Sequence, residues 1–394
     1  MEYNFANRIS GLVPSVIREI LKFTSNPDII SFAAGNPAPE AFPAKEALEI
    51  SQKLFSTKPV DALQYGVTEG YAPLIEKITE YIKERYNVGR DFDSVIITSG
   101  AQQVMDLTTK VLCNEGDVII CEEPSFIGSL NCFKSYGAKL CGVEIEDDGI
   151  NINMLEEKLK EHPNAKFIYT IPNFQNPTGI TMSLEKRKAV YALAKKYNKI
   201  ILEDNPYGEI RVQGEYIPPI KSFDEEGIVI YAGSFSKLFS PGIRVGYVCA
   251  PKEILSKMTV GKQASDVHTT VFFQMLIFEW MSNYDIDIHI KNMQDIYRKK
   301  LNLMCDMLDS ELAGFLSYNK PQGGMFIWAK LPDHVDMLEF CKRAVKNSVA
   351  VVPGTAFMTS EDRKTNCIRL NFSTPSDDDI VKGVKILGKL AKEY

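Results

Sequence analysis

Short apolar runs alternate with longer helical patterns between residues 94 and 250, and this alternation is the feature that most constrains the fold. Alternating strands and helices are typical of a mainly parallel sheet covered by helices. The runs predict seven strands, at residues 94–98, 118–121, 139–143, 166–171, 199–203, 228–232 and 245–249. Between the fourth and fifth strands, Ser183 can cap a helix whose apolar face holds Ala189, Val190, Leu193 and Ala194. The expected class is α/β, with a large domain built on a mainly parallel seven-stranded sheet.

The texture of the chain changes after residue 251. The patterns predict helices at 252–261, 266–283 and 286–311, then strands at 325–330, 349–352 and 368–372 with helices near 335–347 and 376–393. This second alternating unit predicts a smaller α+β domain. We expect an N-terminal arm at residues 1–45 that packs on the small domain, a large domain at 46–285 and a small C-terminal domain at 286–394.

Composition excludes several classes of protein. A net charge of −6 and a pI near 5.5, with no long basic run, argue against a nucleic-acid partner. The eight cysteines form no C-x-x-C pair and the four histidines are scattered, so we expect reduced thiols, a cytoplasmic location and no metal site. No apolar stretch of about 18 residues and no signal-peptide pattern occurs, so we expect no membrane association.

Polar residues follow four of the predicted strands, at the sheet edge where open α/β proteins bind ligands. They are the glycine turn Ser99-Gly100-Ala101-Gln102, the segment Pro172-Asn173-Phe174-Gln175-Asn176-Pro177-Thr178-Gly179, the segment Asp204-Asn205-Pro206-Tyr207 and the segment around Lys237. Each has a plain structural alternative, because glycine and proline turns are common and an aspartate can cap a turn.

The segment Ser234-Phe235-Ser236-Lys237 is followed seven residues later by Arg244. A lysine close to a second cation loses its proton more easily and becomes a nucleophilic amine. The hydroxyls and Arg244 are suited to an anion, so the expected ligand is a phosphate attached to a carbonyl-like group. A solvated loop is the alternative interpretation of this segment alone.

Taken together, these residues resemble the fold-type I, class I/II aminotransferases that depend on pyridoxal 5'-phosphate (PLP). The resemblance rests on Asn176-Pro177-Thr178-Gly179, Asp204-Asn205-Pro206-Tyr207, Ser234-x-Ser236-Lys237 with Arg244, and Arg369 in Cys367-Ile368-Arg369-Leu370, and it covers nearly the whole chain. It implies the aspartate aminotransferase-like fold of PLP-dependent transferases. It also implies a homodimer with shared active sites.

The resemblance assigns roles to these residues. Lys237 would hold PLP as a Schiff base and later move the substrate Cα proton. Asp204 would pair with the pyridine nitrogen and keep it protonated. Asn176 and Tyr207 would hydrogen-bond the ring oxygen O3', and Arg369 would bind the substrate carboxylate through two parallel hydrogen bonds.

The remaining roles concern the phosphate, the ring face and the substrate. The implied phosphate ligands are Ser234, Ser236, Arg244 and the turn Gly100, Ala101 and Gln102. Ala101 departs from the serine frequent in relatives and would donate only its backbone N–H. Phe126 would stack on the ring, with a core aromatic as its alternative, Tyr65 would reach the phosphate of the neighbouring subunit, and Gly35 would let the arm close over the substrate.

The opening of the chain, residues 15–40, resembles the subgroup of 2-aminoadipate, kynurenine and broad-specificity aminotransferases. The resemblance implies an acidic or large apolar amino donor and a 2-oxo acid acceptor such as 2-oxoglutarate. Arg18 would meet a side-chain carboxylate of the substrate, and a surface arginine on an amphipathic helix is an equal alternative.

Two other functions belong to the same fold. A PLP-dependent β-lyase or another enzyme acting at Cα would use the same cofactor. A ligand-sensing module of the MocR type would need a DNA-binding domain before the aminotransferase-like sequence, which here starts near residue 10, and the charge of the chain does not suit DNA.

Overall fold

The computed structural model describes residues 3–10, 28–360 and 362–394. Its centre is an eight-stranded sheet. The strands in chain order are β2 (Asp93–Thr98), β3 (Val118–Glu123), β4 (Lys139–Glu146), β5 (Gly149–Ile150), β6 (Phe167–Thr170), β7 (Ile200–Asp204), β8 (Val229–Ser234) and β9 (Gly246–Pro251). All seven predicted strands are therefore confirmed, and the two-residue β5, too short to give a sequence pattern, adds an eighth.

The sheet has the order β2-β9-β8-β7-β6-β3-β4-β5. Its central pairs, from β8 through β7, β6 and β3 to β4, are parallel, whereas β9 and β5 run against their neighbours. Parallel neighbours place their carboxyl ends at one edge, so the polar segments that follow β6, β7 and β8 meet there.

Helices cover the sheet because its strands are apolar on both faces. In β6 and β7, Ile168 and Ile201 join one buried cluster while Tyr169 and Leu202 join another, as the period of two requires. Within the described residues before 285, the α-helices are α1 (Asn7–Ser10), α2 (Ala44–Thr57), α3 (Pro59–Leu63), α4 (Ala72–Tyr86), α5 (Ala101–Leu112), α6 (Ile127–Ser135), α7 (Ile152–Glu161), α8 (Leu184–Lys196), α9 (Lys252–Gln263) and α10 (Val271–Asn283).

Two details of these helices differ from the prediction. The helix predicted from residue 266 begins only at Val271, because Val267 has a left-handed φ of 65° and Asp266 bonds the buried Lys262 amine instead of continuing a helix. In α8 the cap on Ser183 is confirmed, since its Oγ accepts from the Lys186 N–H at 3.3 Å. Its buried face, however, consists of Arg187, Val190 and Ala194.

The C-terminal part holds a four-stranded antiparallel sheet of order β10-β11-β14-β13. Its elements, with β12, are α11 (Ile286–Glu311), β10 (Ser317–Tyr318), β11 (Phe326–Lys330), α12 (Met337–Lys346), β12 (Val349–Ala350), β13 (Val352–Pro353), β14 (Cys367–Asn371) and α13 (Asp377–Ala391). The predicted strands and helices of this region are confirmed, with the segment 349–352 divided into two short strands.

The N-terminal segment packs against this C-terminal part. Strand β1 (Ile30–Ser31) pairs in parallel with β12, and the Asn371 N–H donates to the Phe32 carbonyl at 2.8 Å. The Phe32 side chain is fully buried beside Gly383. The domain boundaries at residues 45 and 285 stay a prediction. No helix among the described residues is long and apolar enough to cross a membrane.

Candidate active site

A cavity of about 170 Å³ lies at the carboxyl edge of the sheet, where the segments after β6, β7 and β8 meet. Its lining residues come from α5, α6 and those segments: Ala101, Gln102, Met105, Phe126, Ser129, Ile171, Asp204, Pro206, Tyr207, Ser234, Ser236, Lys237 and Arg244. Nine of the residues predicted from sequence are in this set: Ala101, Gln102, Phe126, Asp204, Tyr207, Ser234, Ser236, Lys237 and Arg244.

Lys237 lies in the wall of this cavity, three residues after β8 ends. Burial, together with the charges of Arg244 and Arg369, lowers the pKa of its amine from 10.5 to about 8. The Nζ atom donates to the Gly35 carbonyl at 3.2 Å, which brings the N-terminal arm to the lysine. Near neutral pH a useful fraction of this amine is therefore unprotonated and nucleophilic.

Asp204 is the last residue of β7, and its carboxylate is buried. Its Oδ2 accepts a hydrogen bond from the Tyr169 hydroxyl at 2.9 Å. Its Oδ1 meets no hydrogen-bond donor within the described part of the chain. Burial raises the pKa of Asp204 to about 7, although the bond from Tyr169 opposes this. A buried carboxylate with an unpaired oxygen is suited to a cationic N–H on a ligand.

Asn176 joins the cavity to Arg369. Its Nδ2 donates to the Tyr207 hydroxyl at 3.4 Å, and its Oδ1 accepts from Arg369 Nη1 at 2.9 Å. All three side chains are buried. One hydrogen-bonded group thus joins β14 to the segments that follow β6 and β7.

Arg369 is a buried cation on β14. Its Nη2 donates to the Ala33 carbonyl at 2.7 Å, and its guanidinium lies 4.2 Å and 4.8 Å from the ring centres of Phe326 and Phe357. In the described ranges its Nε finds no acceptor. Burial lowers the pKa of Arg369 to about 9, and a carboxylate bound beside it would favour its charged form.

The glycine turn before α5 lies against Arg244. Gly100 has a φ of 78°, a left-handed conformation that favours glycine, and a Cβ there would lie 2.4 Å from Arg244 Nη2 and displace the guanidinium. Arg244 also donates to the Ser99 carbonyl at 3.2 Å and to Ser236 Oγ at 3.4 Å. Ser234 Oγ accepts from the Ser236 N–H at 3.1 Å. A helix N-terminus, a guanidinium and two hydroxyls therefore converge, which is a suitable arrangement for a phosphate.

One predicted residue of the described part of the chain, Tyr65, lies apart from this cavity. Tyr65 is 82% exposed, and its ring lies 5.7 Å from the His268 ring, outside the cavity lining. Arg18 falls outside the described residues. Gly35 reaches the site through its carbonyl, which accepts from Lys237.

Sequence reasoning missed three aromatic residues. Tyr169, inside β6, bonds both Asp204 and Ser129, and Phe326 and Phe357 flank Arg369. The alternation of β6 is the signal for Tyr169, because its side chain shares a face with Phe167. For the two phenylalanines no local pattern exists, since their contact with Arg369 depends on how β11 and the segment 354–357 pack.

A reactive lysine beside a phosphate cradle and a buried carboxylate is the combination found in enzymes that work through PLP. Residues 27–387 match the family described as aminotransferase class I and II, and the chain belongs to this family. The predicted family, enzyme class, cofactor and fold are thereby confirmed.

Named relatives resemble the chain over nearly its full length. The aromatic-amino-acid aminotransferase 1 of Thermococcus litoralis is 40% identical over 100% of this chain and 95% of its own. The 2-aminoadipate transaminase of Thermus thermophilus is 37% identical over 98% of this chain and 96% of its own. Among solved structures, the Pyrococcus horikoshii kynurenine aminotransferase in complex with PMP has a TM-score of 0.95 and 37% identity, covering 99% of this chain and 97% of that one.

Proposed function

We propose that this enzyme moves the α-amino group of an acidic amino acid, such as 2-aminoadipate or glutamate, or of an aromatic or large apolar one, to a 2-oxo acid such as 2-oxoglutarate. The two substrates bind in turn, in a ping-pong mechanism. The observation that carries the proposal is the low pKa of Lys237 beside two buried ionic groups that each keep an unpaired atom, Asp204 Oδ1 and Arg369 Nε. The names of the relatives support both donor classes.

The residues fit PLP, which when bound supplies an electron-withdrawing ring that stabilises negative charge at the substrate Cα. Asp204 Oδ1 would accept a hydrogen bond from the protonated ring nitrogen, which explains why this oxygen is buried without a donor among the described residues. Asn176 and Tyr207 would donate to the ring oxygen, and Phe126 would cover one ring face. The neutral amine of Lys237 would move a proton from the substrate Cα to the cofactor carbon C4' in the first half-reaction and in the opposite direction in the second.

The phosphate would bind at the N-terminus of α5. Arg244 supplies a charge, Ser234 and Ser236 supply hydroxyls, and Gly100, Ala101 and Gln102 supply the turn. The side chain of Gln102 donates to the Gly128 carbonyl at 3.0 Å, so its contribution would come from the backbone. Ala101 has no hydroxyl, so the cradle has one donor fewer than a serine would give.

Arg369 would bind the substrate α-carboxylate. Its planar fork is already held by Asn176 and the Ala33 carbonyl, so little side-chain entropy is lost on binding. The rings of Phe326 and Phe357 lie close to the guanidinium and limit its access to water, which would strengthen a carboxylate contact. Gly35 would allow the arm to lie over the same substrate.

The choice of side chain is proposed to depend on Arg18. Replacing Arg18 with alanine should lower kcat/KM for 2-aminoadipate and glutamate and leave that for phenylalanine unchanged. Equal kcat/KM values for the acidic donors before and after the change would show that Arg18 does not contact their side-chain carboxylate. Unchanged values would also favour the aromatic and apolar donor class.

A cytoplasmic homodimer with shared active sites is part of the proposal. The segment around α3 exposes four large apolar residues, Val60, Leu63, Tyr65 and Val67, at 63% to 82%. Such a patch is suited to a second copy of the chain, with Tyr65 reaching the partner's phosphate. All eight cysteines are free thiols, which suits a reducing compartment.

Mixing two inactive variants tests the shared site. Heterodimers of Lys237→Ala and Tyr65→Ala chains contain one site with both residues intact, so at limiting PLP the mixture should exceed the mean activity of the two parents. An activity equal to that mean would contradict shared sites.

The decisive test of transamination is a half-reaction screen. Each amino acid is added to the PLP-loaded enzyme, and absorbance follows conversion to the pyridoxamine form, with Lys237→Ala as the control. Conversion in the wild type and not in the control is expected. A β-lyase would instead release a 2-oxo acid and ammonia while the absorbance of the PLP form returned.

A further inference from the structure

Arg187 is a fully buried arginine of α8 that lies outside the cavity. Each of its five N–H donors meets an oxygen: Met182 O at 3.0 Å, Ile217 O at 3.2 Å, Pro218 O at 3.1 Å, Pro172 O at 3.0 Å and Asn173 Oδ1 at 2.6 Å. All five acceptors are neutral, four of them backbone carbonyls. Burying a guanidinium this way is costly unless every donor is satisfied, so its position is narrowly defined.

Two of those carbonyls belong to the ends of one loop of the site. Pro172 and Met182 are the two ends of the loop that carries Asn176, and the Met182 N–H also donates to the Pro172 carbonyl at 2.8 Å. Arg187 therefore fixes both ends of this loop through hydrogen bonds from its guanidinium.

A chain of side-chain amides continues from Arg187 to the next loop. Asn173 Nδ2 donates to Asn205 Oδ1 at 2.8 Å, and Asn205 Nδ2 donates to the Tyr231 hydroxyl at 2.8 Å. Because Arg187 can only donate, it fixes the oxygen of Asn173 toward itself and leaves the Asn173 amide nitrogen for Asn205. Asn205 lies directly between Asp204 and the segment that carries Tyr207.

We propose that Asn173 and Asn205, anchored by Arg187, are positioning residues that set the spacing between the Asn176 loop and the Asp204–Tyr207 loop. The inference rests on the proposed function, in which both loops contact one cofactor ring. The Asn176–Tyr207 bond is already long at 3.4 Å, so a small displacement of either loop would break it. Among the side-chain hydrogen bonds of the described residues, Asn173–Asn205 and Asn176–Tyr207 are the two that connect these loops directly.

The variants Asn173→Ala and Asn205→Ala test this role. A displacement of about 1 Å can cost one to two orders of magnitude in rate, so we expect kcat to fall about tenfold or more. PLP affinity should change less than about threefold, because the groups proposed for the phosphate lie on other segments. The pH midpoint of the absorbance change of the PLP-loaded protein should rise. Hydrogen bonds to the ring oxygen would lower the pKa of the nitrogen that joins Lys237 to PLP, and weaker hydrogen bonds would lower it less.

The double variant shows whether the two residues act through one contact. If they do, the loss of kcat in Asn173→Ala/Asn205→Ala should be close to that of one single variant and far from the product of both. Asn205→Ala is the decisive single variant, because it leaves all five hydrogen bonds of Arg187 in place. The matched control is Asn151→Ala, which removes an asparagine that caps α7 through the Met154 N–H and has no role in the site.

The outcomes separate this inference from the proposed function. A wild-type protein that binds no PLP or shows no half-reaction would overturn the function itself. An active wild type with an Asn205→Ala variant that keeps the kcat and absorbance midpoint of Asn151→Ala would overturn only the positioning role. Loss of PLP affinity as large as the loss of kcat would also overturn it, because general loosening of the site would then account for both. A selective loss of kcat with a raised midpoint supports the inference.

Discussion

The lowered pKa of Lys237 predicts how fast the protein captures PLP at each pH. With a pKa of about 8, roughly one amine in ten is neutral at pH 7, whereas an amine with the ordinary value of 10.5 is neutral about once in 3,000. Since only the neutral amine attacks a carbonyl, the lysine should gain about 300-fold in rate at pH 7 from its surroundings.

The assay compares two amines under identical conditions. Apoprotein and Nα-acetyl-lysine amide are each mixed with PLP in a stopped-flow instrument between pH 7 and pH 11, and the rate for the protein is divided by the rate for the free amine. The division cancels the ionisation of PLP itself. The ratio should be constant below pH 8, fall about tenfold per pH unit above it and level off near pH 10.5, a total decline of about 300-fold.

A variant tests the cause of the shift. Burial is the largest cause, and Arg244 and Arg369 add repulsion. In Arg369→Gln the break in the curve should move above pH 8 yet stay well below 10.5, while Arg343→Gln, on the distant α12, should leave it unchanged. A ratio that stays flat from pH 7 to pH 11 in the wild type would refute the reasoning. An unmoved break in Arg369→Gln would refute the electrostatic part alone.

Three further predictions concern single residues. Asp204→Ala should lower kcat about 100-fold or more while PLP affinity falls less than tenfold, because its role is to stabilise charge; equal losses in stopped-flow rate and PLP titration would contradict this. Arg369→Lys should lower kcat/KM for amino donors about 10- to 100-fold with PLP binding unchanged, because lysine lacks the planar fork; near-normal steady-state kinetics would show that the fork is unnecessary. Phe133→Ala, which removes a ring packed 5.2 Å from that of Tyr169, should cost about 3–5 kcal/mol in urea unfolding, whereas the exposed Leu338→Ala should cost about 0.5 kcal/mol or less; similar losses would show that the ring is not part of a tight core.

Much of the fold could be predicted because its strands are short, apolar and separated by strong turn residues. The start of α10 could not, because the polar bonds of Lys262 and the left-handed Val267 override the helical propensity of the segment. The two-residue β5 forms only because β4 offers it an edge.

For the site, residues at strand ends could be predicted because topology brings them to one edge. Arg187 illustrates the limit of that reasoning. Periodicity assigns a charged side chain in a helix to solvent, and the apolar face was accordingly predicted without it. Its burial depends on carbonyl oxygens from residues 172–182 and 217–218, and no local pattern reveals that these segments converge.

The arm determines where this enzyme can be recombined with its relatives. The pairing of β1 with β12 and the two carbonyls given to Arg369 and Lys237 fix the chain from Ile30 to Gly35 residue by residue. Inserting or deleting one residue there would shift both carbonyls. Under the proposal that Arg18 sets donor preference, a chimera should therefore take its first 27 residues from a relative and keep the native chain from Asp28 onward. Such a junction would make the N-terminal segment an exchangeable cassette, with the catalytic register left intact.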